Sequence, residues 1–275
     1  MVKQYIYATS SEEALDYLKN TGGVIVAGGT TVALTSKPDT LIDITRANLN
    51  YIKMKDNSLV IGATTTLGDI IKSPLCYQYL GEGFVQGVKQ IGSRQLQNMA
   101  TIGGNIAIPY HWRDLPVLLL VLEAKVKLET TNGENLLPIE ALTADGYRTF
   151  LKDKLITEII IPVEEKVNIE WEKFTITASD VSILSVATNI TLNENKWKRV
   201  KIAVGSLTKN PFRLKALEEE LLNKEKSIEL IDKALEKIHW EEIKVFPDQR
   251  VSKDYKLNIT KVLLKRILTK GLRAR

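Results

Sequence analysis

Thr101-Ile102-Gly103-Gly104-Asn105-Ile106-Ala107 lies at the centre of the run from Ser93 to Asp114, S-R-Q-L-Q-N-M-A-T-I-G-G-N-I-A-I-P-Y-H-W-R-D, the most informative part of the chain. Two adjacent glycines let the backbone take positive φ and approach a ligand with no Cβ in the way, so successive N–H groups can point into one concavity. Such a nest suits a diphosphate. A single Gly-Gly pair is a weak signal, because most are ordinary turns. A second pair strengthens it. Val24-Ile25-Val26-Ala27-Gly28-Gly29-Thr30-Thr31 is a β-branched run breaking into Gly-Gly-Thr-Thr, which reads as a buried strand delivering a tight turn with two hydroxyls beside it. Two such nests can hold the two phosphates of one dinucleotide from both sides. Neither fits G-x-G-x-x-G or G-x-x-x-x-G-K-[ST], which disfavours a Rossmann or nucleotide-triphosphatase site.

Working outward, the 275 residues carry 44% hydrophobic and 26% charged side chains, enough for a buried core and two domains. The net charge of +5 is mild, and basic residues alternate with acidic ones except at the C-terminus, so no nucleic-acid partner is expected. One cysteine, Cys76, excludes an iron–sulfur cluster or a disulfide within the chain, and two histidines, His111 and His239, leave no zinc or iron site. No metal site and no catalytic acid, base or nucleophile is expected. The longest apolar run, Val117 to Leu122, is too short to span a bilayer, and the N-terminus lacks a signal core, so no membrane association and a cytoplasmic location are expected.

Along the chain, Ser10-Ser11-Glu12-Glu13 opens a first helix as a capping box and Gly22-Gly23 stops it. With Leu41-Ile42-Asp43-Ile44 as a strand, residues 1 to about 52 form a small βαβ-like unit. Leu59 to Ala63 begins a second subdomain, 53–165, in which Thr66 caps a helix, Leu115 to Leu122 is a buried helix with Pro116 in its first turn, and Asn132-Gly133 marks a hairpin. Leu155 to Ile161 closes it as a buried strand. Glu164-Glu165-Lys166 reads as a linker to a third region, 166–275, with strands over 181–192 and 200–207. There Asn210-Pro211 caps a helix running to Leu221, Ser227 caps another, and Ser252 caps a last basic helix.

Ala27-Gly28-Gly29-Thr30 near the start, then Ala100-Thr101-Ile102-Gly103-Gly104-Asn105-Ile106-Ala107, then Asp114 before a Leu/Pro-rich helix, resembles the FAD-binding subunit of the molybdenum hydroxylases, the xanthine dehydrogenase, aldehyde oxidoreductase and carbon monoxide dehydrogenase type. The resemblance runs nearly end to end. It implies an α+β fold: a two-subdomain FAD-binding domain of the PCMH (vanillyl-alcohol oxidase-like) type over 1–165, then a smaller α+β C-terminal domain over 166–275. It implies that Ile25, Val26, Ala27, Gly28, Gly29, Thr30 and Thr31 wrap the FAD diphosphate, and that Thr101, Gly104 and Asn105 contact phosphate or help hold the flavin. Asp114 matches an acid that binds ribose hydroxyls, although an Asp before Leu-Pro is equally an N-cap. Ile156 matches an aliphatic residue packing on the isoalloxazine, and Lys173 a basic residue approaching the flavin, where a cation would stabilise the anionic reduced form.

The same resemblance implies partners: a large molybdopterin-binding subunit and a small two-iron two-sulfur subunit, from which electrons reach this FAD and leave to NAD+ or another acceptor. Two other readings stay open, a stand-alone flavin oxidoreductase and a scaffold that has lost FAD. The second arises because Ile108-Pro109-Tyr110-His111-Trp112-Arg113 puts bulk where the family has a tight loop, with Tyr110 or Trp112 available to stack on a ring and Arg113 to pair with a phosphate.

Overall fold

A computed structural model of the chain describes residues 2–32, 38–108, 110–164 and 167–272. Two residues of the expected linker, Glu165 and Lys166, and Pro109 of the bulky loop lie outside the described residues. The chain forms two compact units, Met1–Leu75 with Gly92–Pro109 and Glu123–Val163, and Cys76–Ile91 with Tyr110–Leu122 and Glu164–Arg275. Among the described residues no helix is long and apolar enough to cross a membrane.

In the first unit, strands β1 (Gln4–Tyr7), β2 (Val24–Val26) and β3 (Thr40–Asp43) make a parallel sheet in the order β1-β3-β2. The helix Ser11–Thr21 links the first two. Ser10 caps it by accepting from the Glu13 N–H, and Gly22 ends it in the left-handed conformation at φ 60°. The Glu13 carboxylate accepts from the Thr9 N–H and hydroxyl, one residue upstream of the expected capping-box partner. Ala14 and Leu15 bury the helix against Ile42 and Ile44. Open sheets with parallel strands offer ligands the carboxyl ends of those strands, and β2 runs straight from its carboxyl end into Ala27-Gly28-Gly29.

The second sheet of this unit is antiparallel, β4 (Ile52–Lys55), β5 (Ser58–Gly62), β6 (Lys125–Thr130), β7 (Gly133–Pro138) and β8 (Leu155–Pro162), in the order β4-β5-β8-β6-β7. Asp56 and Asn57 turn β4 into β5 with φ of 47° and 55°, the left-handed pair that a two-residue hairpin needs. The turn at 131–132 joins β6 to β7, with Thr130 opposite Gly133, so the hairpin is there but turns one residue before the expected Asn132-Gly133.

The second unit is built on β9 (Ile169–Phe174), β10 (Leu184–Asn193), β11 (Lys196–Gly205) and β12 (Phe212–Arg213), antiparallel in the order β12-β11-β10-β9. Its core joins Leu184, Trp197 and Ile202 to Ile231 of the helix Ile228–Glu236 and to Leu264 and Ile267 of the helix Lys253–Gly271. Ser227 and Ser252 cap those two helices as the sequence implies. Every side chain of the helix Leu115–Val121 is buried, and it packs on β10 and β11, where a Cβ on Gly205 would lie 2.5 Å from Val117 Cγ2.

One expectation is corrected here. Asn210-Pro211 does not open a helix to Leu221. Phe212 and Arg213 pair with Val204 and Ala203 as β12, and the helix spans only Lys215–Leu221. The reason is Arg213, which meets Glu218 at 2.5 and 2.6 Å and holds the chain extended, while the Ile202 N–H donates to the same carboxylate at 2.8 Å. The overall α+β organisation is as the sequence implies.

Candidate functional site

The two glycine pairs meet. A Cβ built on Gly28 would lie 1.8 Å from the Met99 carbonyl oxygen and 3.3 Å from the Ala100 Cα, so the first turn rests against the backbone leading into the second. Only glycine permits that approach. Gly29 follows at φ +67°, with Val26 Cγ2 at 3.8 Å as the nearest atom to its missing Cβ. The turn is therefore fixed on one side and open on the other. Among the described residues, the N–H groups of Gly28, Gly29 and Thr30 donate to no protein acceptor. Ile25 and Ala27 pack on the small apolar cluster below, Val26 is buried, and Thr30 and Thr31 are half-buried beside the turn.

The second pair is different in kind. Thr101 caps the helix Ile102–Ala107 by accepting from the Gly104 N–H at 3.2 Å. The N–H groups of Ile102 and Gly103 donate to the Thr65 and Ala63 carbonyls, both at 2.9 Å, and the Asn105 N–H to the Thr101 carbonyl. These donors are spent inside the protein, so the second pair begins a helix and forms no second nest of N–H groups. Gly103 brings the helix against Ala63, whose Cβ would lie 2.8 Å from an added methyl. Gly104 is exposed, and only Thr101 Oγ1, at 2.9 Å, comes near its missing Cβ. At the next residue, the Asn105 side-chain oxygen is buried without a hydrogen-bond partner. A buried polar atom left unpaired costs about 1–3 kcal/mol, so such an atom at a candidate site calls for a partner.

Two more unpaired hydroxyls, those of Thr64 and Thr157, are buried on the neighbouring backbone. The connection runs through the Gly103 N–H to the Ala63 carbonyl and the Ala63 N–H to the Thr157 carbonyl, each at 2.9 Å. Nothing in the sequence marks these threonines, because a buried Thr in a β-rich run is ordinary. Thr157 follows Ile156, which is 8% exposed and stands opposite Leu128 on β6. The Tyr147 hydroxyl donates to the Ile108 carbonyl at 2.6 Å and pins the far end of the short helix.

Asp114 and Lys173 belong to the second unit and are brought together. Lys173 Nζ is 3.3 Å from Asp114 Oδ2, both side chains are 4% exposed, and the ammonium also donates to the Gln90 carbonyl at 3.0 Å. Ser182 donates its hydroxyl to Asp114 Oδ1 at 2.6 Å. Burial pushes the Asp114 carboxyl above its ordinary range, and Lys173 and Ser182 pull it back. Asp114 makes no side-chain cap for the helix Leu115–Val121 that follows it. In the bulky loop, Tyr110 and Trp112 stack on each other with centroids 4.3 Å apart, and His111 lies edge-on to Trp112 and 4.5 Å from Phe246. Burial, and then the positive charge of Lys256, hold His111 down to about 4. Arg113 is buried and donates to the Tyr110 carbonyl.

The residues of the first unit fit a dinucleotide cofactor: a glycine turn with open N–H groups, an exposed glycine with room above it, and an amide whose inner atom awaits a partner. Comparison with known proteins agrees. Residues 1–164 match the family described as the FAD binding domain in molybdopterin dehydrogenase, and residues 170–270 match the carbon monoxide dehydrogenase flavoprotein C-terminal domain. The chain is 31% identical over 274 residues to the glyceraldehyde dehydrogenase medium chain of Sulfolobus acidocaldarius, covering 94% of each. It is 29% identical over 192 residues to the carbon monoxide dehydrogenase medium chain of Hydrogenophaga pseudoflava, 69% of this chain and 67% of that one. The solved structure of the carbon monoxide dehydrogenase from that organism lacking the Mo-pyranopterin moiety superimposes with a TM-score of 0.93 at 27% identity, covering 98% and 97%.

Proposed function

We propose, from the premise that this chain belongs to the family of FAD-binding domains of molybdopterin dehydrogenases, that it is the electron-transferring flavin subunit of a multi-subunit oxidoreductase. Its cofactor is FAD, and its fold is that of the medium subunits, a PCMH-type FAD-binding domain followed by the flavoprotein C-terminal domain. The finer reading is that electrons arrive from an iron–sulfur partner, that the substrate is oxidised at a molybdopterin centre on a large subunit, and that NAD+ or another oxidant takes them from the flavin. A cytoplasmic location accords with this.

The observation that carries the reading is the open turn at Gly28–Thr30 abutting the backbone at Met99. Its N–H groups are the donors a diphosphate needs, and they lie at the carboxyl end of a parallel strand. Asn105 is suited to a donor-bearing part of the cofactor by its unpaired oxygen, and Thr101 fixes the helix that carries it. Ile156, at 8% exposure, has little apolar surface to offer a ring. Bound FAD supplies redox chemistry that joins one-electron and two-electron partners. Asp114 and Lys173 hold each other's charge away from water, which places a cation where its position cannot drift.

Reconstitution tests the reading. The purified full chain, incubated with FAD and desalted, is expected to retain flavin absorbance in equimolar amount, and co-expression with a large molybdopterin-binding subunit and a small two-iron two-sulfur subunit is expected to yield a complex. A full chain that stays colourless after refolding in FAD would remove the assignment. A yellow chain that turns over a substrate unaided would replace it by a stand-alone oxidoreductase.

A further inference from the structure

Asp248, Arg250 and Ser182 form a chain of contacts that ends on the buried pair. The Arg250 guanidinium is gripped by the Asp248 carboxylate at 2.8 and 2.9 Å, and its two Nη atoms donate to the Val181 carbonyl at 2.9 Å and the Ser182 carbonyl at 3.2 Å. The Asp180 carboxylate adds a contact at 3.5 Å. The fork thus fixes the backbone of 181–182 from a loop some seventy residues later in sequence. That backbone delivers the Ser182 hydroxyl to Asp114 Oδ1 at 2.6 Å, and Asp114 Oδ2 meets Lys173 at 3.3 Å. Ser182 is fully buried, so no water can replace its hydroxyl without opening the segment.

We infer that Ser182 and Arg250 are positioning residues for the Asp114–Lys173 pair: the arginine fork sets the 180–182 segment, and the segment's hydroxyl holds the carboxylate facing the lysine. Asp114 is faced by Lys173 from β9 and by Ser182 and Ser185 from the 182–185 segment, and Lys173 is faced also by the Gln90 carbonyl. A neutral carboxyl there would leave the ammonium buried without its counter-charge, which a low-dielectric site does not tolerate. A fork is required, because two carbonyls and a carboxylate must be met at once by one planar group, and a lysine cannot do so. The meaning of the pair for the flavin rests on the function proposed above; the positioning itself does not.

Infrared titration of the full chain tests it. The carbonyl band of protonated Asp114, identified by its loss in Asp114→Asn, gives the pH at which the carboxylate takes up its proton. Ser182→Ala is expected to raise that midpoint by about tenfold in proton affinity, the size of a lost hydrogen bond to a charged group. Arg250→Lys keeps the charge, loses the fork, and is expected to move the midpoint the same way. The double variant should move it no further than the larger single change, because the two act in series. Arg266→Lys, at the contact with Glu172 on the same strand, should leave it unchanged. A wild-type midpoint in Ser182→Ala, or fully additive shifts in the double variant, would overturn the inference. If Arg250→Lys fails to fold, Ser182→Ala decides alone, since it removes one oxygen. A wild-type chain that binds no FAD would remove the proposed function, while the titration still decides the positioning.

Discussion

Gly28-Gly29 and Gly103-Gly104 look alike in sequence and divide their labour alike, yet they offer a ligand different things. In each pair the first glycine is there for the protein: Gly28 admits the Met99 carbonyl and Gly103 admits Ala63. In each the second is freer: Gly29 has only Val26 Cγ2 near, at 3.8 Å, and Gly104 is exposed but for Thr101 Oγ1 at 2.9 Å. Gly29 needs its φ of +67°, whereas Gly104 sits in a helix at an ordinary backbone angle. The first pair therefore presents N–H donors, and the second presents room beside an unpaired amide. A diphosphate wants the former and a flatter, donor-bearing part of the cofactor the latter.

The comparison is broken most forcefully at Gly28. Gly28→Ala puts a methyl inside the Met99 carbonyl, and no side chain is available to move aside. Overpacking against backbone at this distance should destabilise the first unit by about 3 kcal/mol or more. Hydrogen exchange across 24–31 and 99–107 should rise together, with FAD lost as a consequence. A variant as stable as wild type would show that the two turns do not touch. Gly29→Ala is the milder partner: space is free, and the strain is that of a non-glycine residue in the left-handed region, about 1–2 kcal/mol by denaturant midpoint. If Gly28→Ala and Gly29→Ala cost the same, the division of labour within the pair is wrong.

Much of this frame was legible beforehand. Ser10, Thr66, Ser227 and Ser252 announce helix starts by residue type, and all four accept the expected backbone N–H. The hairpin at 131–132 follows from Asn-Gly, displaced by one residue. What escaped depends on partners far away in sequence. Strand β9 was invisible because its largely covered Glu172 is satisfied by Arg266 and Lys270, almost a hundred residues later. β12 was hidden behind a Pro that mimics a cap. In the candidate site, the glycines were legible as a set, but which one packs and which one opens is decided by the backbone that arrives from residues 63 and 99. The stacking of Tyr110 on Trp112 was equally illegible, since either ring was free on paper to meet a ligand.

Acid separates the glycine pairs, which carry no titratable group, from the 110–114 loop. All four tryptophans, Trp112, Trp171, Trp197 and Trp240, belong to the second unit, so their fluorescence reports on it. His111 takes up a proton at about 4 when folded and at its ordinary 6.5 when unfolded. Between those values the unfolded chain binds more protons, so the stability is complete above pH 6.5 and is lost as the pH falls toward 4. Asp248, lowered to about 2 by its hydrogen bond from Arg250, adds a loss in the same direction below pH 3.8. Asp114, whose carboxyl burial raises, works in the opposite direction, so across pH 6.5 to 4 the tryptophan-detected denaturant midpoint of wild type should fall relative to that of His111→Gln, with the drop below 3.8 common to both. A wild-type profile that runs parallel to that of His111→Gln would mean that His111 is not buried by Phe246 and Trp112.

The smallest change in stability is the most discriminating. Gly104→Ala adds a methyl to an exposed helical position where only the Thr101 hydroxyl oxygen is near, and a side-chain oxygen can move by a few tenths of an ångström. Replacing glycine by alanine inside a helix favours the helix by up to about 1 kcal/mol, so a net change near zero is expected against the crowded cap. Helical propensity alone would select alanine here, and conformational strain gives glycine no reason to persist. What remains is the Thr101 cap at 2.9 Å and the exposed space beyond it. If that space belongs to the cofactor, Gly104→Ala should weaken FAD binding by about tenfold, or ~1.4 kcal/mol, with an unchanged unfolding midpoint. Flavin titration of the variant against wild type measures it. Equal affinity would leave the open side of the second pair without a ligand, and the cradle would reduce to the turn at Gly28–Thr30.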